Sequence, residues 1–167
     1  MGDSNLLEIG YMGVVGAGLR VTPVETEMEN PMRPYSSALA KLRSSGLRPT
    51  RQRLALCKLL FDSGDRHVTA ESLLAEAATA GIKVSLATVY NSLHQFTEAG
   101  LLRQVIVDGS KTYFDTNTSN HHHFYLERDG SLIDIPGEAI SVNGLPEVPQ
   151  GSEVERVDVT IRLRPKL

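Results

Sequence analysis

Lys83-Val84-Ser85-Leu86-Ala87-Thr88-Val89-Tyr90-Asn91-Ser92-Leu93-His94-Gln95-Phe96-Thr97-Glu98-Ala99-Gly100 is the stretch on which the fold turns. Leu86, Val89, Leu93 and Phe96 recur at steps of three and four, the period of one apolar helix stripe. Ser85 suits an N-cap and Gly100 the position just past a C-terminus, so both ends are marked. Ala87, Thr88, Asn91, His94 and Gln95 fall on other faces. Those faces carry few charges and several small hydroxyl and amide groups. Such groups reach base edges in a major groove, where Asn bonds adenine bidentately and Thr, Tyr or Ala touches a thymine methyl. A half-buried amphipathic helix with a solvated outer face explains the same pattern, so the flanking sequence has to decide.

Upstream, residues 36–45 read as a short helix ended by Gly46. Thr50 is an N-cap for a second helix running to about Ser63, with Leu56, Leu59 and Leu60 inward. Arg48, Arg51 and Arg53 crowd its start. Cations there oppose the helix dipole unless an anion such as a phosphate sits between them and the free N–H groups. Thr69 caps a third helix, with Glu71 in its first turn and Leu73, Leu74, Ala77 and Ala78 inward. Gly81 ends it, and four residues lead into the helix at Leu86. Helix, short glycine-containing turn, helix is the helix-turn-helix arrangement. Downstream the period drops to two. Leu102–Val107 and Lys111–Phe114 read as strands joined by an Asp108-Gly109-Ser110 turn. Three helices and a hairpin make a winged helix. Arg103 and Lys111 on the hairpin are expected beside the duplex backbone, where cations position rather than specify.

The chain has 167 residues, 41% of them hydrophobic, and a net charge of −3. The charge is uneven. Residues 41–111 hold ten Lys/Arg against six Asp/Glu, and the rest hold seven against fourteen. A basic block inside an acidic chain suits a polyanion-binding half joined to a half of other purpose. The single cysteine, Cys57, excludes disulfide frameworks and Cys-rich zinc sites within the chain and reads as a small buried side chain. With no run of apolar residues near membrane-span length and no signal-peptide pattern, a cytoplasmic protein is expected. Residues 1–34, broken by glycine and proline, read as a flexible tail, with Met28 and Met32 as alternative starts.

Residues 115–120 read as a polar linker and 121–167 as a second unit. His121–Glu127 and Leu132–Ile135 are strands around an Arg128–Ser131 turn, and Val154–Leu163 alternates as a third. A three-stranded antiparallel sheet of this size buries little alone. Its apolar face is expected to meet a second copy over residues 122–163, giving a homodimer whose two-fold symmetry matches a palindromic duplex site. The fold class is α+β: a winged helix-turn-helix domain, 35–114, and a small C-terminal α/β dimerisation domain.

His67-Val68-Thr69-Ala70-Glu71, Leu86-Ala87-Thr88-Val89-Tyr90 and His121-His122-His123, in that order and spacing, resemble the ferric uptake regulator family of metal-sensing bacterial repressors. Gly46–Arg53 matches the family's basic approach to its second helix. The resemblance implies that Arg48 enters the minor groove and Tyr90 contacts bases; Arg51 at the helix start and Ala87 and Thr88 on the exposed helix face are expected to join them. The family's Arg after that Tyr is Asn91 here. It implies metal ligation by His67, Asp115 and one or two of the clustered histidines, His121 and His123, with Fe²⁺ or Mn²⁺ as the cation. The family's Cys-x-x-Cys pairs are absent, and Phe124 and Tyr125 replace its His-Asp-His. Three histidines without cysteines look like the iron response regulator (Irr) branch, which responds to haem. That implies haem bound by His121, His122 and His123, flat contact from Phe124 and Tyr125, control of iron and haem metabolism genes, and a haem-supplying enzyme as a further partner. The N-terminal Cys-Pro haem motif of some members is missing.

In a strand, His121 and His123 share one face and His122 takes the other. An N/O donor set suits Fe²⁺, Mn²⁺ or Zn²⁺, whereas one imidazole nitrogen suffices as an axial haem ligand. Two rivals from other classes remain: a metal-dependent hydrolase built on Asp115 and the histidines, and a winged-helix module that binds only protein. The first predicts ester turnover, the second no shift with any duplex. The missing cysteines also predict no structural zinc closed by four thiolates. Metal analysis after chelator dialysis checks this: less than one zinc per chain is expected, with the fold retained.

Overall fold

The structure, a computed structural model, describes residues 34–108 and 111–166. The expected tail, apart from Pro34, and the Gly109-Ser110 turn lie outside the described residues.

Three helices precede the duplex-reading candidate: none is long. Helix α1 spans Ser36–Ser44, α2 Arg51–Phe61 and α3 Ala70–Thr79, followed by α4 at Leu86–Glu98. The caps are those the sequence marks. Thr50 accepts from the Arg53 N–H, Ser85 accepts from the Thr88 N–H, and Thr69 and Ser72 cap each other reciprocally. Gly100 has φ of +71°, and the Leu101 N–H returns 2.8 Å to the Phe96 carbonyl, which closes α4 with a left-handed residue that favours glycine.

The four helices enclose one core of Leu42, Leu56, Leu60, Leu73, Val89, Leu93 and Phe96, each without exposed area. Phe114 from the hairpin closes it. Leu86 departs from the expected stripe: it is the first residue of α4 and is exposed, and burial on this helix begins at Val89. Ala78 is exposed as well.

The hairpin strands are β2 (Arg103–Asp108) and β3 (Lys111–Asp115). A two-residue strand, β1 (His67–Val68), pairs with the other edge of β3 and makes the sheet order β1-β3-β2. In register, Asp115 lies opposite His67 on one side and Arg103 on the other.

The second sheet has the order β5-β4-β6, from β4 (His121–Leu126), β5 (Ser131–Pro136) and β6 (Thr160–Leu163). Two expectations change here. The third strand is four residues long, not ten, and runs parallel to β4. Residues 137–159, holding a single 3-10 turn at Gly137–Ala139, are long enough to carry the chain back for a parallel pairing. The ladder opens only at Val159, whose carbonyl accepts from the His123 N–H at 3.0 Å.

Between the sheets lies a small second core of Val105, Tyr113 and Tyr125, flanked by Val107 and Leu132. The two tyrosine rings meet edge to face with centroids 6.2 Å apart, and Tyr113 Oη donates to the Gly130 carbonyl.

Cys57 sits wholly inside the first core, and burial pushes its thiol up to about 11. It should resist a disulfide reagent at pH 8 in the folded chain and react fully in denaturant. Fast reaction of the native chain would place Cys57 at an accessible surface instead.

Candidate metal centre and nucleic-acid interface

Five side chains converge where the two sheets face each other: His67, Asp115, His121, His123 and Asp134. Register explains the convergence. Residues opposite each other in a ladder point to the same face. Asp115 therefore points with His67, and His123, two residues after His121, points with both His121 and its partner Asp134.

The donors are close. His121 Nε2 lies 2.8 Å from Asp115 Oδ2 and 3.0 Å from His123 Nε2. His67 Nε2 lies 3.0 Å from Asp134 Oδ1, and both His67 and His123 Nε2 lie 3.4 Å from Asp115 Oδ2. Ligands about 2.0–2.2 Å from a shared cation are about 3 Å apart in an octahedral shell and about 3.4 Å apart in a tetrahedral one. The observed separations fit such a shell.

Asp115, His121 and His123 are buried, while His67 and Asp134 are partly open. Burial raises the Asp115 carboxyl, but hydrogen bonds from His123, His67 and the Asn117 N–H outweigh it and hold the group well below the usual carboxylate range. Asp115 is thus an anion in a dry place. His67 Nε2 and Asp134 Oδ1 are buried atoms that face each other at 3.0 Å.

The ring orientations decide what fills the centre. His121 Nδ1 lies 2.9 Å from the Ser119 carbonyl, which can only accept, so Nδ1 carries the proton. Its Nε2 then faces Asp115 and His123 Nε2. Lone pairs crowded in this way require either protons or a cation between them. Three imidazole nitrogens and two carboxylate oxygens, without sulfur, suit a divalent cation such as Fe²⁺, Mn²⁺ or Zn²⁺.

The sequence expectations are met unevenly. His67, Asp115, His121 and His123 are brought together as expected. Asp115 ends β3 rather than sitting on a linker, and the segment after it is anchored by the Thr116 N–H, which donates to the Arg66 carbonyl. Asp134 was missed; its signal is an acid alternating with Leu132 on a strand opposite His123. His122 faces away, and the Val159 N–H points at its Nδ1 at 3.4 Å. Phe124 and Tyr125 lie on opposite faces of β4, with Tyr125 packed on Tyr113, so they cannot flank one ligand plane.

On the α4 surface, Ala87 and Asn91 are exposed and Thr88 and Tyr90 partly so. Tyr90 Oη donates to Glu71 Oε1 at 2.8 Å, an unforeseen contact. Arg48, Arg51 and Lys111 are exposed. Arg53 is spent on the Arg48 carbonyl and Gln95. Arg103 corrects its expectation: it is buried, not beside a duplex. Its parity along β2 matches Val105, so it points at the second sheet, while Ile106 takes the open side.

A family model described as "Ferric uptake regulator family" matches residues 44–163. The chain belongs to the ferric uptake regulator family. Its members are transcription regulators, not enzymes, which removes the hydrolase reading. The peroxide-responsive repressor PerR of Staphylococcus aureus is 30% identical over 134 residues, covering 80% of this chain and 82% of that protein. The ferric uptake regulator of Pseudomonas aeruginosa, solved with manganese, matches with a TM-score of 0.59 and 27% identity, covering 78% of this chain and 98% of that one. The Vibrio cholerae ferric uptake regulator has the same fold, with a TM-score of 0.61 at 24% identity, over 75% of this chain and 98% of that one. The α+β reading, a winged helix followed by a small C-terminal domain, agrees with this family's fold.

A cation entering this cluster would have to expel the protons that otherwise separate its donors. Titration with Mn²⁺ in weak buffer should acidify the solution, and uptake should weaken as the pH falls. His123→Ala should lower affinity by more than about tenfold. Proton-neutral uptake, unchanged in that variant, would put the cation elsewhere.

Proposed function

We propose that this chain is a homodimeric, iron-responsive transcriptional regulator of the cytoplasm whose affinity for operator DNA depends on a divalent cation, Fe²⁺ or Mn²⁺, held by His67, Asp115, His121, His123 and Asp134. The observation that carries this reading is the place of the five donors. His67 and Asp115 belong to the winged-helix half, and the other three to the β4–β5 hairpin. A cation shared by both halves favours one angle between them, and it can shift DNA binding only through different affinities for two such arrangements. A tenfold change needs about 1.4 kcal/mol of coupling.

DNA contact falls to Thr88, Tyr90, Asn91 and Ala87 on α4, with Arg48, Arg51 and Lys111 on the backbone or in the minor groove. The dimer reading rests on the face of the second sheet turned away from the metal. Ile133, Ile161 and Leu163 are exposed there, beside Phe124 and Leu126. The chain buries His122 and Ile135 at one end of that face and leaves those three side chains open, and a second copy supplies an apolar partner of the same shape.

A second reading, the Irr-like one, places haem rather than a bare cation on the histidines and makes the regulator control iron and haem metabolism genes with a haem-supplying enzyme as partner. One feature favours it. His122 lines a groove of about 430 Å³ with Ile140, Val142 and Leu145, whose remaining walls are mainly polar and include Arg156, paired with Asp158. Against it stands the Val159 N–H, which makes His122 Nδ1 an acceptor and leaves the proton on Nε2. The cation reading is the better supported.

Operator binding titrated with Mn²⁺, Fe²⁺ and haem separates the readings. Tightening by Mn²⁺ or Fe²⁺ that is lost in His123→Ala supports the cation reading. A response to haem alone, lost in His122→Ala, supports the other, and no response to any of them overturns both. In the same assay Arg48→Ala should weaken binding to all duplexes and lower the salt slope by about one if it meets a phosphate.

A further inference from the structure

Among the described residues, Arg103 is the buried cation that the cation-sensing reading does not use. Its side chain is 4% exposed, yet it belongs to neither hydrophobic core. Placing a guanidinium there is costly unless its donors are bonded. They are bonded to three acceptors on two separate parts of the chain. Nη1 donates to the Ser119 carbonyl at 3.3 Å and to the His121 carbonyl at 3.2 Å. Nη2 donates to the His121 carbonyl at 3.2 Å and to the Asp158 carboxylate. Nε alone has no partner.

Each acceptor has a consequence. The Ser119 carbonyl is the group that takes the His121 Nδ1 proton, so Arg103 fixes the oxygen that sets this histidine's tautomer. The His121 carbonyl fixes the first residue of β4, from which His123 also hangs. Asp158 directly precedes Val159, the residue at which the returning chain joins β4. Arg103 itself is held in register opposite Asp115. One planar fork, on a residue paired in register with a metal carboxylate, thus touches the backbone of one metal imidazole and the root of β6.

We propose that Arg103 is a positioning residue that aims His121 and, through Asp158, passes the occupancy of the centre to β6 on the dimer-side sheet. The proposal rests on the cation reading above. A cation that pulls His121 toward Asp115 shifts the Ser119 and His121 carbonyls, and the fork carries that shift to Asp158. Lysine cannot replace it, since one ammonium cannot span acceptors on both sides of a rigid plane.

Asp158 lies at the surface and ligates nothing, so Asp158→Asn keeps the fold if Arg103→Gln does not. Hydrogen exchange at residues 159–163 is measured in the full chain, metal-free and at saturating Mn²⁺, with Co²⁺ absorption reporting the coordination shell. In the natural chain Mn²⁺ should slow exchange at these amides. In Asp158→Asn that slowing should disappear at saturation, with Mn²⁺ still bound. Arg103→Lys should also change the Co²⁺ spectrum and lower Mn²⁺ affinity about tenfold or more, as loss of an outer-shell partner does. Equal slowing in Asp158→Asn and an unchanged Co²⁺ spectrum in Arg103→Lys would overturn the role of Arg103 while leaving the cation reading intact. A natural chain that binds neither Mn²⁺ nor Co²⁺ would overturn both.

Discussion

The Asp115 carboxylate is the constraint on which the rest is arranged. It is fully buried and anionic, and a buried charge must be answered on every side. The chain answers it with imidazoles from β1 and β4 and a backbone N–H from Asn117. Each of those groups is tied to a different part of the fold. Burying one charge therefore fixes the winged half against the β4–β5 hairpin, and the Tyr113–Tyr125 contact packs around that junction without directing it.

The winged half was legible because its signals are local. Caps, glycine stops and 3.6-residue stripes are written within a few residues, and Thr50, Thr69 and Ser85 cap the helices as read. The centre was legible in part. Alternation along one strand separates His121 and His123 from His122 without any knowledge of a partner. Asp134 and the true place of Arg103 depend on which strands pair and in what register, and that is decided by the tertiary fold. Parity held a clue to Arg103, since it shares a side with Val105. The expectation followed its charge instead, and charge alone places arginine at a surface.

The C-terminal strand was misjudged for a related reason. Val154–Leu163 alternates throughout, and alternation identifies residues able to lie in a sheet. Pairing needs a free edge, and β4 offers one only along His123–Leu126. Residues before Val159 reach past that edge and stay open. The parallel direction follows from the length of the return path, a property of no single residue in the strand.

The two-residue strand β1 gives the centre an unequal set of attachments. Four of the five donors stand on strands of five or six residues, whereas His67 is held by a ladder two residues long. Short ladders open at little cost, and local opening needs far less free energy than global unfolding. His67 and Asp134 are also the two donors that solvent touches. The centre therefore has a lightly held side and a fixed side, and a bound cation would meet solvent first at the former. How long the regulator would remember a metal then depends on how often this short ladder and the Arg66–Thr116 bonds beside it open, as well as on how tightly the closed centre binds.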